Sequence, residues 1–406
     1  MISIFTGVAG LRAHQRAVDV IANNIANLNT VGFKAGRASF QEALVQTLKA
    51  GSTTGVNPMQ VGLGVNVGSI DNVMTQGNLK STARPTDLAI VGDGFFVLSN
   101  GNSLAYSRDG VFQLDAENRL VSAGNGMRVA GWAADPTTGA VNTSAAVTPA
   151  SELVIPLGTL SIARQTTTAS YQANLDASAA GGTDVATSFT LFDSLGQSHQ
   201  VDVTFTKSAT TNEWDWSATG ADFTGSDTGT LTFNANGQIT TPSEPLSLTL
   251  TNPNGANANI DLDLDFSIVT QLAGASTVQV VYQDGVPLGT LESYIVNETG
   301  LLTGIFGNGM SQALGQIALA RVPNPGGMSR MGDNLYGLSP NSGLAVIAPP
   351  GTSGNGKVAS GFLEMSNVDL ASEFADLVIT QRGFQANSRI ITTADEMLQD
   401  VLTIKR

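Results

Sequence analysis

The chain of 406 residues contains no cysteine. That absence excludes disulfide staples, thiolate metal sites and cysteine nucleophiles together. It has two histidines, His14 and His199. His14 is expected on the polar side of a helix and His199 beside a turn. Neither has a second histidine or a patterned carboxylate nearby in the sequence, so a zinc site or a Ser-His-Asp arrangement is not expected. GxSxG and HExxH are also missing. Charged residues make up 13% of the chain, and 19 Lys and Arg stand against 33 Asp and Glu, a formal net charge of −14. Such a surface repels phosphate backbones and anionic headgroups, which excludes nucleic acid and anionic membrane as partners. No apolar run approaches the ~18 residues of a membrane helix, so no membrane insertion is expected. The first thirty residues or so lack the basic region and apolar stretch of a cleavable signal. No catalytic residue, metal ligand or cofactor site is assigned, and an enzyme is not expected.

What the chain has is glycine, 45 copies, with abundant Thr, Ser, Ala and Asn, a profile of short strands joined by many turns. The negative charge is concentrated in the middle. Between Thr166 and Gln283 there are twelve acidic residues and Lys207 alone as a base, which reads as a solvated outer surface.

The organising stretches are the two ends. Ile4, Leu11, Val18 and Ile25 recur every seven residues, with Val8 and Ala22 between them, a thin apolar stripe on one side of a helix. From about Ile4 to Leu28 such a helix spans roughly 37 Å, and Gly32 is expected to stop it. Asn23, Asn24 and Asn27 either fray its end or hydrogen-bond neighbouring subunits. The stripe requires a partner helix. Leu370, Leu377, Phe384, Ile391 and Leu398 supply one, again spaced by seven. That helix should start near Ser366–Glu373, with Ser366 or Asp369 as its cap. It should run through Gly383 to about Ile404, and Lys405 and Arg406 suit its C-terminal dipole. Single helices of this kind are marginal in water, so both ends are expected to order on assembly. The candidate assembly residues are Ile4, Leu11, Val18, Ile25, Leu377, Phe384, Ile391 and Leu398, although the same stripes can also pack within one subunit.

Between the ends the chain reads as β. Phe40–Leu48 is a candidate short helix, Gly51–Asn57 a loop, and Val61, Leu63, Val65 and Val67 one alternating strand. Short strands follow at Leu88–Val91, Phe95–Leu98, Leu104–Arg108, Val111–Leu114 and Arg119–Ser122, punctuated by GDG, SNGN, DG and DAEN turns. A second β region carries candidate strands at Ser188–Phe192, Gln200–Lys207, Glu213–Ala218 and Thr230–Asn234. Asp261, Asp263 and Asp265 alternate there with Leu262, Leu264 and Phe266, as in a half-buried strand. Calcium would need a converging turn instead. Tyr294–Asn297 and Gly315–Val322 return to the earlier style. The predicted fold class is α+β, mainly β: terminal helices forming a coiled coil, with two nested antiparallel β domains. The expected divisions are 1–32 for the first helix and 33–70 for a connecting segment. Residues 71–165 with 284–360 form a discontinuous β domain, 166–283 an inserted one, and 361–406 the last helix.

Gly351–Lys357 (GTSGNGK) nearly spells a phosphate-binding loop. Val358 follows it where a hydroxyl is needed for Mg²⁺, so a glycine-rich turn is expected. Asn142-Thr-Ser and Asn297-Glu-Thr match the glycosylation pattern, which is common by chance.

The run DVIANNIANLNTVGFKAGRASFQE (19–42) resembles the N-terminal signature of the bacterial flagellar rod and hook axial protein family. SNVDLASEFADLVITQRGFQANSRIITTADEML (366–398) resembles its C-terminal signature. TDLAIVGDGFFVL (86–98), YSRDGVFQLD (106–115), YIVNETGLLTGIFGNG (294–309) and GQIALARV (315–322) resemble the family's β domain. Residues 166–283 match loosely, in TTTASYQANLD and LFDSLGQSHQVDVTF. Length and the inserted region favour the hook branch; a distal rod protein or a secreted β-rich adhesin are the alternatives. The resemblance implies a homopolymer whose terminal helices line the channel of a flexible tube and whose β domains stack outward. It implies export through the flagellar type III apparatus without signal cleavage to an extracellular position. It also implies contacts with the distal rod protein, the hook cap protein and the hook–filament junction proteins.

Overall fold

A computed structural model describes residues 2–49, 55 and 57–404. Most of the expected loop at Gly51–Asn57, and the basic pair Lys405 and Arg406, lie outside the described residues. The chain divides into two compact units. One comprises Met1–Ile155, Ile295–Thr303 and Ala313–Arg406, the other Pro156–Tyr294 and Gly304–Gln312.

In the first unit, helix α1 (Ile2–Ala26) and helix α2 (Leu370–Ile404) pack antiparallel. The register is fixed by glycines. A Cβ added to Gly7 would lie 3.0 Å from Ile391 Cγ1, one on Gly10 2.6 Å from Asn387 Oδ1, and one on Gly383 2.5 Å from the His14 ring. The buried face of α1 is Gly7, Gly10, Ala13, Ala17, Ile21 and Asn24, at spacings of three and four. Small residues there let the two backbones approach closely. His14 is therefore not on the polar side of α1. It faces α2 and the Phe40 ring, 5.5 Å away, with Nδ1 buried and unpaired. The helix ends at Ala26, where the Asn27 amide donates to Asn23 O. Gly32 is not its stop. It turns left-handed (φ +69°) further on, where a Cβ would meet the Arg108 carbonyl carbon at 2.6 Å. At the start of α2, Asp369 is the cap, its Oδ1 accepting from the amides of Ala371 (2.9 Å) and Ser372. Ser366 takes the Val368 amide instead.

The candidate helix at Phe40–Leu48 is absent. Strand β1 (Gly36–Glu42) and strand β2 (Val45–Lys49) occupy it, and β3 (Met59–Gly62) and β4 (Val65–Asn72) pair with β2 and β1 respectively. Cross-strand pairing, with β1 and β4 also packing on α1, overrides a weak local propensity. The single strand expected over 61–67 is broken at Gly64 (φ +115°), where an added Cβ would lie 3.1 Å from the Ala9 methyl. The rest of this unit is a sheet centred on Phe95–Ser99, flanked by Leu104–Ser107, Arg128–Val129 and Leu319–Arg321. Phe95, Val97, Tyr106, Trp132, Ala320 and Tyr336 are among its core residues.

The second unit is a sandwich. Strands Asp184–Phe192, Ser198–Lys207, Glu213–Thr219 and Asp227–Thr232 form one sheet; the other contains Ser243–Leu250, Asn259–Thr270, Thr168–Asn174 and Thr277–Gln283. Tyr171, Phe205, Trp214, Trp216 and Phe266 fill the space between them. The Phe205 and Phe266 rings meet edge-on at 5.9 Å. Asp261 and Asp263 point outward while Ile260, Leu262 and Leu264 point in, as their alternation requires. One expectation fails: Thr168–Asn174 runs parallel, not antiparallel, to Asn259–Thr270. The connection between them crosses the other sheet, and such a long connection permits parallel pairing.

Candidate assembly surface

Two features of the first unit bear on function: a polar knot that fixes where α1 enters the β structure, and the apolar surface the helices leave uncovered. The knot centres on Glu364, fully buried. Its Oε1 accepts from Lys34 Nζ at 2.5 Å and from the Gly77 amide at 2.9 Å, and its Oε2 from Arg108 Nη1 at 3.1 Å. Lys34 also donates to Thr75 O at 2.7 Å and Arg108 to Gly92 O at 2.8 Å. Burial pulls the Lys34 ammonium below the usual lysine range, against the opposing pull of Glu364. Asn367 adds a second tie. Its Oδ1 accepts from the Ala35 amide and its Nδ2 donates to Val73 O, both at 2.8 Å. Asn24, buried at the end of α1, exchanges two hydrogen bonds with the Gly36 backbone and donates to Glu373 on α2 at 3.0 Å. The asparagine amides thus bond within the chain. Sequence reasoning missed this knot; its one local sign is a charge amid apolar neighbours, Lys34 after Phe33 and Glu364 after Leu363.

The candidate assembly residues are placed unequally. Ile4, Leu11, Val18 and Ile25 are half-buried beside the small-residue seam, and Leu377 and Ile391 are half-buried in α2's side of it. Phe384 and Leu398 remain 41% and 42% exposed. Unanticipated apolar exposure is larger: Phe5, Phe374, Ile379, Met397 and Leu402 on the helices, and Leu44, Leu48 and Met59 around the β2–β3 hairpin. No helix among the described residues is long and apolar enough to cross a membrane.

Lys357 of the phosphate-loop look-alike opens a strand, not a helix, and reaches Glu298 at 2.8 Å. Contrary to the sequence reading, His199 does have carboxylate neighbours, Asp222 at 2.9 Å and Asp193 at 3.4 Å. Among the described residues, no group of three or more His, Asp or Glu converges to hold a metal.

Family models match in chain order. "Flagella basal body rod protein" covers residues 4–34 and "Flagellar hook protein FlgE/F/G D1 domain" covers 89–168. "Flagellar basal body protein FlaE D2 domain" covers 161–286 and "Flagellar basal body rod FlgEFG protein C-terminal" covers 359–404. The flagellar hook protein FlgE of Treponema pallidum is 39% identical over the whole of both chains. The chain belongs to the flagellar hook protein family. The Escherichia coli hook protein is 36% identical over 98% of each chain. Identity falls to 28% with the basal-body rod protein FlgG of Bacillus subtilis, over 100% of this chain and 99% of that one, so the hook branch is preferred to the rod. This hook protein is a structural subunit of the bacterial flagellum.

Proposed function

We propose that this hook protein assembles with itself into a flexible tube that passes torque from rod to filament, using the helix pair α1–α2 for contacts between copies. The observation that carries this reading is the uncovered apolar surface of that pair, including Phe384 and Leu398 among the candidate assembly residues. Ile4, Leu11, Val18, Ile25, Leu377 and Ile391 hold the two helices together so that this surface is presented as one piece. The β region 166–283 acts as the body of a separate folding unit that also takes in its flanks, Pro156–Tyr294 with Gly304–Gln312, a division supported by the family match over 161–286. Membership in the hook family supports export through the flagellar type III apparatus to an extracellular position. It supports contacts with the distal rod protein, the hook cap protein and the hook–filament junction proteins as well. No catalytic role is assigned.

The test is polymer formation by the purified chain, followed by sedimentation and electron microscopy, with Phe384→Asp and Leu398→Asp beside the parent. The variants should lose at least about tenfold in sedimentable polymer while keeping the parent's tryptophan fluorescence. Normal tubes from both variants would remove the helices from the interface.

A further inference from the structure

Beside the Glu364 knot lies a cavity of about 120 Å³, lined by Lys34, Asp93, Phe95, Arg108 and Arg321 among others. The fold gathers these residues from distant segments. Lys34 follows α1, Asp93 sits in the turn before Phe95–Ser99, Arg108 follows Leu104–Ser107, and Arg321 ends Leu319–Arg321. Three cations and one carboxylate line the space. Glu364, bonded to two of the cations, still leaves positive charge in excess. Lys34 and Arg108 are almost fully buried, where uncompensated charge is costly. Asp93 is exposed, so water weakens its opposing charge.

Hydrogen-bond donors are in excess as well. Arg108 has five N–H groups. It gives one to Glu364 and one to Gly92 O, and its buried Nε finds no partner among the described residues. The Phe95 ring covers one face of the guanidinium, 5.4 Å from Cζ to the ring centre. As an ammonium, Lys34 has a third N–H beyond those given to Glu364 and Thr75 O. Arg321 is exposed and pairs with no carboxylate among the described residues. We infer that this cavity binds a small inorganic oxyanion, with Arg321 meeting it from the solvent side while Lys34 and Arg108 attract it from the buried side. The guanidinium fork suits paired oxygens and not a spherical halide. A bound oxyanion favours the Lys34 ammonium against the burial that pulls it down. It also ties the strand Leu319–Arg321 to the segment leaving α1.

The test uses the full chain, with inorganic phosphate exchanged for chloride at constant ionic strength and unfolding followed in urea. In a Trp214→Phe, Trp216→Phe chain the remaining Trp132 reports the first unit; a Trp132→Phe chain reports the second. Phosphate should raise the first unit's midpoint along a curve that levels off as the site fills. The second unit should show only the gradual rise that an excluded salt gives any fold. Arg321→Ala, a change at an exposed position, should shift the levelling response to at least about tenfold higher phosphate, and Arg321→Lys should restore part of it. Calorimetric titration of phosphate into the unsubstituted chain reads the same site without the tryptophan changes and should give saturable binding. If the two units rise alike without levelling, if Arg321→Ala leaves the response unchanged, or if calorimetry shows no saturable binding, the cavity holds water only and the proposal is overturned.

Discussion

Glu364 shows how one residue can join distant parts of a chain. It meets Lys34 across 330 positions of sequence and Arg108 across 256, and no local pattern could pair them. Removing one member of a buried ion cluster leaves the others desolvated and uncompensated, at a cost of about 3–5 kcal/mol. Glu364→Gln should therefore lower the urea midpoint of the first unit substantially. The exposed pair Lys357–Glu298, similar in length, is screened by water and salt, so Lys357→Ala should leave that midpoint unmoved. Equal effects from the two would show that burial is not what gives the Glu364 cluster its weight. Asn24 is a milder case: Asn24→Ala removes two part-buried hydrogen bonds to the Gly36 backbone, at about 0.5–1.5 kcal/mol each. Its position late in a predicted helix was readable, but its partners were not, because Gly36 approaches only after the chain has turned back at Gly32.

At the scale of elements, the two helices were legible because a seven-residue period survives any tertiary context. The identity of the packed face was less so. Large residues mark the period, yet the closest contact uses Gly7, Gly10 and Gly383, which carry no hydrophobic signal. Alanine in place of glycine inside an exposed helix ordinarily gains about 0.8–1 kcal/mol. At Gly383 the new methyl meets the His14 ring at 2.5 Å, and packing should win. We expect Gly383→Ala to lower the melting temperature of assembled helices by circular dichroism; a rise would mean that the helices do not approach this closely. The expected helix at Phe40–Leu48 failed for the converse reason, since nothing local announces that β4 will return to pair with β1. Glu373 adds a pH dependence. Burial raises its carboxyl above the ordinary 4.5, with Asp376 in the same direction and the Asn24 hydrogen bond opposed. The folded state therefore holds this proton more tightly than the unfolded one, and its contribution to stability falls as pH rises from 4.5 through the raised value. Glu373→Gln keeps an acceptor for Asn24 and should flatten that part of the melting profile. An unchanged slope would assign the dependence to other groups.

At the scale of the whole molecule, alternation of buried and exposed residues made the sandwich strands readable, while the pairing order, including the parallel pair, depends on where a long connection returns. The three tryptophans of the chain turn the division into units into a measurement. Trp132 belongs to the core of the first unit, its indole donating to Ala145 O at 2.7 Å. Trp214 and Trp216 belong to the core of the second, almost fully buried, with indole nitrogens that find no partner. Because each unit has its own hydrophobic cluster, a Trp132→Phe chain reports only the second unit and a Trp214→Phe, Trp216→Phe chain only the first. Urea titrations of the two should give different midpoints. Adding Glu364→Gln should move the transition seen by Trp132 to lower urea and leave the transition seen by Trp214 and Trp216 where it was. If both transitions moved together, the two cores would be unfolding as one cooperative body, and the buried knot would be holding the entire chain instead of the helix-bearing unit alone.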